Sequence, residues 1–287
     1  MNYLKTSLQK KHPDMHLPSG AILRLKQPLV MSIINCTPDS FYSKSRSMSS
    51  EEAAQRALKA ESEGAGIIDF GAESTRPGAI AVDEKEEIKR LIPALRCFRR
   101  QSSLAVSVDT RKAAVARAAL DEGADIVNDV SALCDPAMLP LCALHKAALV
   151  LMHNQTPVNS GDVWTFLLGA AEKAINRGIE KNKIILDPGF GFGKSTADNL
   201  VLLNDLEMIS IQDYPLLVGL SRKRFIGEIS GRDIEGRLSG TIAANAFALI
   251  GGADIIRVHD TAEAVDLVKL LDAIRKAKPE KQNDLVS

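Results

Sequence analysis

Apolar residues recur along this chain in short unbroken runs, and almost every run ends on a polar residue. Eight such runs stand out: Leu29–Asn35, Gly66–Gly71, Leu104–Thr110, Asp125–Val130, Ala148–His153, Lys183–Asp187, Pro215–Ser221 and Asp254–Asp260. Continuous stretches of Ile, Leu and Val suit strands covered on both faces, as in a parallel sheet. Their starts lie roughly 20 to 40 residues apart, room for a helix and two short connections each. Between the runs the spacing turns helical. Ser50 opens EEAAQRALKAESEG, which stops at Gly64; Arg111 to Glu122 carries one apolar stripe and stops at Gly123; Ala262 to Ala277 repeats the pattern. Three junctions read alike, Gly64-Ala65-Gly66-Ile67-Ile68, Gly123-Ala124-Asp125-Ile126-Val127 and Gly252-Ala253-Asp254-Ile255-Ile256. A glycine cap that ends a helix and leads into a buried strand gives this pattern.

Eight strand–helix units in 287 residues predict an α/β chain folded as a single-domain (β/α)8 TIM barrel over residues 28–276. Residues 1–27 and 277–287 read as tails. The rival, a doubly wound open sheet, needs fewer strands and gathers its polar residues at one switch point. Here nearly every run ends polar, as a barrel mouth requires. Taken in order, the ends are Asn35, Asp69 with Glu73, Asp109, Asn128 with Asp129, His153, Asp187, Ser221 with Lys223, and Arg257 with His259. Asp109, Asn128 and Asp187 offer carboxylate and amide groups suited to the N–H edge of a flat heterocycle. Lys223, Arg257 and His259 offer positive charge suited to phosphate. Any one of them reads equally well as a satisfied polar group in a turn; eight ends together favour a site.

Composition narrows the function classes. The 36 Lys and Arg balance 36 Asp and Glu, and aromatics are 4%, which disfavours a basic, stacking nucleic-acid surface. Cys36, Cys97, Cys134 and Cys142 form no C-x-x-C pair, and H-E-x-x-H is absent, so a structural zinc site is not expected. So few cysteines in so long a chain suit a reducing compartment. No apolar run is long enough for a signal peptide or a membrane span, so the expectation is cytoplasmic. Two near-motifs fail in DPGFGFGKST, which begins at Asp187. Six positions before Lys194, where a P-loop needs glycine, stands Pro188; the third glycine of a dinucleotide fingerprint is replaced by Lys194 itself. These glycines read instead as letting backbone turn sharply or approach a ligand. His12, His16 and His145 are given no role.

The segments NCTPDSF from Asn35, IIDFGAESTRPG from Ile67, SVDTRK from Ser107, IVNDV from Ile126, LMH from Leu151, ILDPGFGFGK from Ile185, LVGLSRK from Leu217 and RVHD from Arg257 follow one another in a familiar order. Over residues of about 28 to 275 the chain resembles the bacterial dihydropteroate synthases, pterin-binding TIM barrels. The resemblance implies a transferase of folate biosynthesis. It would condense (7,8-dihydropterin-6-yl)methyl diphosphate with 4-aminobenzoate, by an SN1-like route, to 7,8-dihydropteroate and diphosphate. It implies that Asp109, Asn128 and Asp187 hold the pterin edge and that Lys223 contacts its carbonyl or ring nitrogen. Asn35 would ligate a Mg2+ bound to the diphosphate, and Thr75, Arg257 and His259 would contact diphosphate oxygens. Arg76 joins the substrate-binding set, and Phe41, Pro77, Phe192 and Ser221 would frame the aminobenzoate. Lys223, Arg257 and His259 are the residues implied to be catalytic. A homodimer and a sulfonamide target are implied as well; the balanced charge, few aromatics and lack of membrane-length runs point to no nucleic-acid or membrane partner. The apolar segment Thr241–Gly251 reads either as an interface or as a core-facing barrel helix.

One departure bears on activity. After TPDSF the family continues S-D-G-G, where this chain has Tyr42-Ser43-Lys44-Ser45, losing both glycines and the acid. That leaves an alternative, a pterin-binding barrel paralogue with weak or no synthase activity. A corrinoid-linked methyltransferase is disfavoured, because no cobalamin-binding partner domain fits in this length.

Overall fold

Each of the eight apolar runs holds one strand of a parallel barrel. The computed structural model describes residues 12–37, 50–73, 82–156, 159–210 and 213–277. A short antiparallel hairpin, β1 (Met15–His16) and β2 (Ile22–Leu23), comes first. The barrel strands are β3 (Leu29–Asn35), β4 (Ile67–Gly71), β5 (Ala105–Asp109), β6 (Ile126–Asp129), β7 (Ala148–Met152), β8 (Ile184–Asp187), β9 (Leu217–Val218) and β10 (Ile255–Val258). They pair in the order β8-β7-β6-β5-β4-β3-β10-β9, and a Leu186–Leu216 bridge brings the two ends together. The run Pro215–Ser221 gives the shortest strand, only two residues of regular pairing, because the chain leaves the sheet at Gly219. Around the sheet lie α1 (Ser50–Glu63), α2 (Glu84–Arg99), α3 (Ala113–Asp121), α4 (Met138–His145), α5 (Ser160–Asn176), α6 (Thr196–Asn204), α7 (Leu206–Ser210), α8 (Arg224–Ser230), α9 (Leu238–Ile250) and α10 (Thr261–Lys276).

The three look-alike junctions are helix ends of one kind. Gly64, Gly123 and Gly252 all take left-handed backbone, φ +106°, +92° and +96°. In each, the alanine that follows donates its N–H to a carbonyl five residues back: Ala65 to Ala60 at 3.0 Å, Ala124 to Ala119 at 2.9 Å, Ala253 to Ala248 at 3.0 Å. This six-to-one bond satisfies a carbonyl that the helix end would otherwise leave bare, and it swings the chain into the next strand.

Side chains alternate across a strand, so each barrel strand serves two cores. Outward residues such as Val30, Phe70, Val108, Val127 and Ile256 pack beneath the helices. The first inward residues, Met31, Ile67, Ala105, Ile126, Ala148, Ile185, Leu217 and Ile255, form a separate apolar plug at the N-terminal end of the barrel. Two residues further on, five of the eight inward positions turn polar: Asp69, Ser107, Asn128, Asp187 and Arg257. A dry floor therefore lies beneath a charged chamber.

The structure corrects the reading of residues 1–27 as a tail. From residue 12 on, the chain is a lid over that floor, with Met15, Leu17, Leu23 and Leu25 buried in the same plug. Strands of two residues carry too little periodicity to be seen in sequence. The end of the hairpin is tied down by Asp125, which is fully buried. Its carboxylate accepts from Ser19 N at 2.9 Å, Val106 N at 3.1 Å and Arg99 Nη2 at 2.6 Å. At the other end of the chain α10 closes at Lys276, and residues 278–287, most of the expected C-terminal tail, lie outside the described residues. No described helix is long and apolar enough to cross a membrane.

Removing the acid from the buried Arg99–Asp125 pair should be costly, because the guanidinium loses its counter-ion without regaining water. Asp125→Ala is expected to lower the unfolding free energy by about 3–5 kcal/mol in urea. A loss under about 1 kcal/mol would place the pair with exposed ion pairs and sever the link between hairpin and barrel.

Candidate active site

The C-terminal ends of the strands carry those of the predicted residues that the structure describes. Asp109 and Asn128 are register partners on β5 and β6, and Gly71 of β4 pairs with Asp109 on its other side. With no side chain at Gly71, the space beside Asp109 stays open; a Cβ there would stand 3.5 Å from the Asp109 Cβ. Asp187 ends β8, Arg257 sits within β10, and Ser221, Lys223 and His259 follow β9 and β10 directly. Asn35 ends β3 and is exposed. Thr75, Arg76, Pro77 and Phe41 lie outside the described residues.

The chamber is organised by Arg257. Its Nε donates to Asp69 Oδ2 at 2.6 Å and its Nη2 donates to Asp109 Oδ2 at 2.6 Å. Sequence reasoning gave Arg257 to the diphosphate, as a cation open to an anion; in the structure two of its five N–H donors are already committed to carboxylates. The Asn128 amide adds a longer contact, Nδ2 to Asp69 Oδ2 at 3.4 Å. Asp69 is fully buried and was given no role from sequence. The signal was available, since an acid in the middle of a buried run demands a partner.

Each of these three acceptor side chains keeps one oxygen buried and unbonded among the described residues: Asp69 Oδ1, Asp109 Oδ1 and Asn128 Oδ1. Unmet buried acceptors are rare, and grouped ones point to donors that arrive from outside. Burial lifts the Asp109 carboxyl to about 7, against the pull of Arg257 and with the help of Asp69. Asp187 is raised too, again by burial, and opposed by the Gly189 N–H bond of 2.7 Å and by Lys223 and Arg257. Arg257 itself is pushed above its ordinary range by the two acids, despite its burial. Lys223 stands with Nζ 4.5 Å above the Phe192 ring centre, and burial lowers it to about 8 while Asp187 and Asp109 hold it up. His259 Nδ1 lies 3.0 Å from Ser221 Oγ, which also accepts from the His259 backbone N–H at 3.2 Å.

Not every strand-end residue belongs to this mouth. Asp129 points outward, opposite to Asn128, and its carboxylate accepts from Ser131 N, Ser131 Oγ and Leu133 N at 2.8, 2.6 and 3.0 Å. It shapes the turn in which Ala132 and Leu133 take φ +60° and +63°. Glu73 bonds Arg111, Lys112 and the Val82 N–H, and Lys112 also reaches Glu87 at 2.5 Å. His153, read as a run end, contacts Lys194, a residue that sequence reasoning used only to reject a motif.

Known proteins resemble this chain over most of its length. The family profile described as "Pterin binding enzyme" matches residues 31–259. A dihydropteroate synthase of Bacillus subtilis (strain 168) is 40% identical over 265 residues, covering 91% of this chain and 93% of its own. One from Synechocystis is 42% identical over 262 residues, covering 87% of this chain and 91% of its own. The structure of Xanthomonas albilineans dihydropteroate synthase with 4-aminobenzoic acid superposes with a TM-score of 0.88 at 41% identity, over 93% of this chain and 100% of that one. The same enzyme in complex with 7,8-dihydropteroate gives 0.86 at 40% identity, with the same coverage.

In the ligand-free chain Asp109 should release its proton at about 7, well above the roughly 3.9 of an ordinary aspartate. The folded chain then holds that proton more tightly than the unfolded chain does. The stabilisation is complete below about pH 4 and is lost as the pH rises through about 7. Carboxyl carbon NMR, with Asp109→Asn to assign the signal, reads the midpoint. A value below about 5 would mean that Arg257 outweighs burial.

Proposed function

We take as premise that the chain belongs to the pterin-binding enzymes, and we propose from it how the mouth residues divide the reaction. The chain is a transferase of folate biosynthesis, a dihydropteroate synthase: it joins 4-aminobenzoate to (7,8-dihydropterin-6-yl)methyl diphosphate, forming 7,8-dihydropteroate and diphosphate. The observation that carries the assignment of roles is the group of orphaned buried oxygens beside Arg257.

A pterin edge is rich in N–H donors, and burying it leaves each donor needing an acceptor. In the proposed arrangement Asp109, Asn128 and Asp187 accept those bonds and Lys223 donates to the ring carbonyl or nitrogen. Asp69 serves from beneath by holding Arg257 in place. The remaining donors of Arg257, with His259 and Thr75, face the diphosphate oxygens and offset charge as the leaving group departs. Phe192, Ser221, Phe41 and Pro77 frame the aminobenzoate, with Arg76 beside them; a sulfonamide, as a mimic of that substrate, would take the same place. Departure of diphosphate leaves a methylene cation stabilised by the pterin, which favours the SN1-like route. The arylamine then needs position more than a strong base.

Mg2+ fits this set in a restricted way. Among the described residues no group of three or more His, Cys, Asp or Glu could hold a metal ion. Asn35, exposed at the end of β3, offers a hard amide oxygen of the kind that Mg2+ takes alongside waters and substrate phosphates. Bound there, the ion would screen the charge on the diphosphate. We extend the proposal to a homodimer: Phe247 on α9 and Leu270 and Ile274 on α10 are exposed apolar residues on helices that touch. On α9 the structure serves both readings of Thr241–Gly251, since Thr241, Asn245, Ala248 and Leu249 are buried while Phe247 is not.

Two measurements test these roles. Diphosphate release should yield dihydropteroate when both substrates are present, and an SN1-like path predicts some release with no aminobenzoate; tight pterin binding with no turnover would favour the non-catalytic paralogue. Asp187→Asn should weaken pterin affinity by about 1.5–3 kcal/mol, the scale of a charge-assisted hydrogen bond, and unchanged affinity would remove Asp187 from the ring edge.

A further inference from the structure

The glycine-rich segment after β8, which fails as a P-loop, ends in a lysine with an unusual setting. Lys194 is buried, and its Nζ lies 2.9 Å from Gly189 O, 3.1 Å from Phe192 O, 3.1 Å from His153 O and 3.0 Å from His153 Nδ1. Among the described residues no carboxylate comes within ion-pair distance of it. A buried ammonium is normally neutralised by an acid; this one is held by backbone dipoles, and its three protons are shared among four acceptors. In a P-loop the lysine reaches outward to a phosphate. Here it folds back onto the loop that precedes it and onto the end of the next strand, β7.

The two strand ends meet closely enough for one side chain to span them. His153 N donates to Asp187 O at 2.9 Å, and a Cβ on Gly189 would overlap the His153 carbonyl oxygen. Gly189 also has φ +69°, so two independent constraints demand glycine there. Within the same stretch, Asp187 takes the Gly189 N–H and Phe192 supports Lys223. Asn199 of α6 closes the far side: its Oδ1 accepts from Gly191 N at 2.7 Å and its Nδ2 donates to Ser195 O at 2.7 Å.

We propose that Lys194 is a positioning residue for the pterin and aminobenzoate subsites, its ammonium pinning the loop that carries Asp187 and Phe192 to the end of β7. The proposal rests on the reading that Asp187 and Phe192 face the substrates. The ammonium has a second effect: with Lys223 and Arg257 it favours the ionised form of Asp187. Burial and Lys223 lower Lys194 to about 8 while Asp187 and Asp198 hold it up. Burial and Lys194 hold His153 down to about 4, so its ring is neutral near pH 7 and its Nδ1 can accept from the ammonium.

The test compares Lys194→Met, Lys194→Gln and Lys194→Arg with the parent chain. The probe is a 6-hydroxymethylpterin, its dissociation constant is read by calorimetry, and thermal melting checks the fold. Binding by the parent tests the reading of the site; the variants, relative to the parent, test the proposal. Lys194→Met should weaken pterin binding and raise the KM for 4-aminobenzoate, each by about tenfold, on the scale of one lost hydrogen bond to a charged group. Lys194→Arg should recover most of both. The acid limb of pterin binding, set jointly by Asp109 at about 7 and by Asp187, should move to higher pH in the Met and Gln variants through Asp187 and stay in place in Arg. A purely structural lysine would not move that limb. Should the Met variant not fold, Lys194→Gln carries the same two expectations. A folded neutral variant with parental pterin affinity, aminobenzoate KM and acid limb would overturn the proposal.

Discussion

A guanidinium and two carboxylates lie side by side inside the barrel, and their mutual need shapes the site. Taking any of the three out of water alone would be prohibitive. Together, Arg257 bridges Asp69 and Asp109 with two bonds of 2.6 Å, and among the described residues each acid still keeps one oxygen without a donor. The trio is thus held in place and left incomplete. That combination suits binding, because the unmet acceptors are fixed before the ligand arrives and need little reorganisation. It also explains why the polar layer stands directly above an apolar plug: a dry floor keeps water from satisfying those oxygens from below.

The strands that build this chamber were legible in sequence because both of their faces are buried, so each appears as an unbroken apolar run. The helix-to-strand junctions were legible for a related reason, since only glycine takes the left-handed turn of Gly64, Gly123 and Gly252 without strain. The lid was not legible. Its strands are two residues long, and Met15, Leu17, Leu23 and Leu25 make sense only against the far ends of distant strands. Charge pairing was hidden as well. Arg257 read as a free cation because sequence order says nothing about Asp69, 188 positions away, taking one of its N–H groups. Asp129 read as one more polar run end beside Asn128, because alternation separates the two by face and not by chemistry.

Polar residues at the strand ends therefore fall into two groups. Those on inward positions, with Ser221, Lys223 and His259 just beyond the strands, line the mouth, and the others hold connections in shape. Asp129 caps a turn that includes two non-glycine residues in left-handed backbone. Arg222, also left-handed at φ +56°, is gripped by Asp260 through two bonds, and its N–H by Thr241 Oγ1, which sets the direction of Lys223. Glu73 and Lys112 join the two ends of the segment that carries Thr75, Arg76 and Pro77 by bonding Val82 N and O. A site assembled from loops on a rigid barrel needs such ties, because small displacements of a binding group are costly to affinity and rate.

The most direct examination of this account is a crystal structure of the chain with a non-hydrolysable pterin diphosphate. The account predicts the ring seated on the apolar plug's polar roof, with its N–H edge bonded to Asp109, Asn128 and Asp187 and the Arg257 bridge to Asp69 intact. A ring bound elsewhere, or one that leaves the orphaned oxygens of Asp109 and Asn128 without donors, would contradict it.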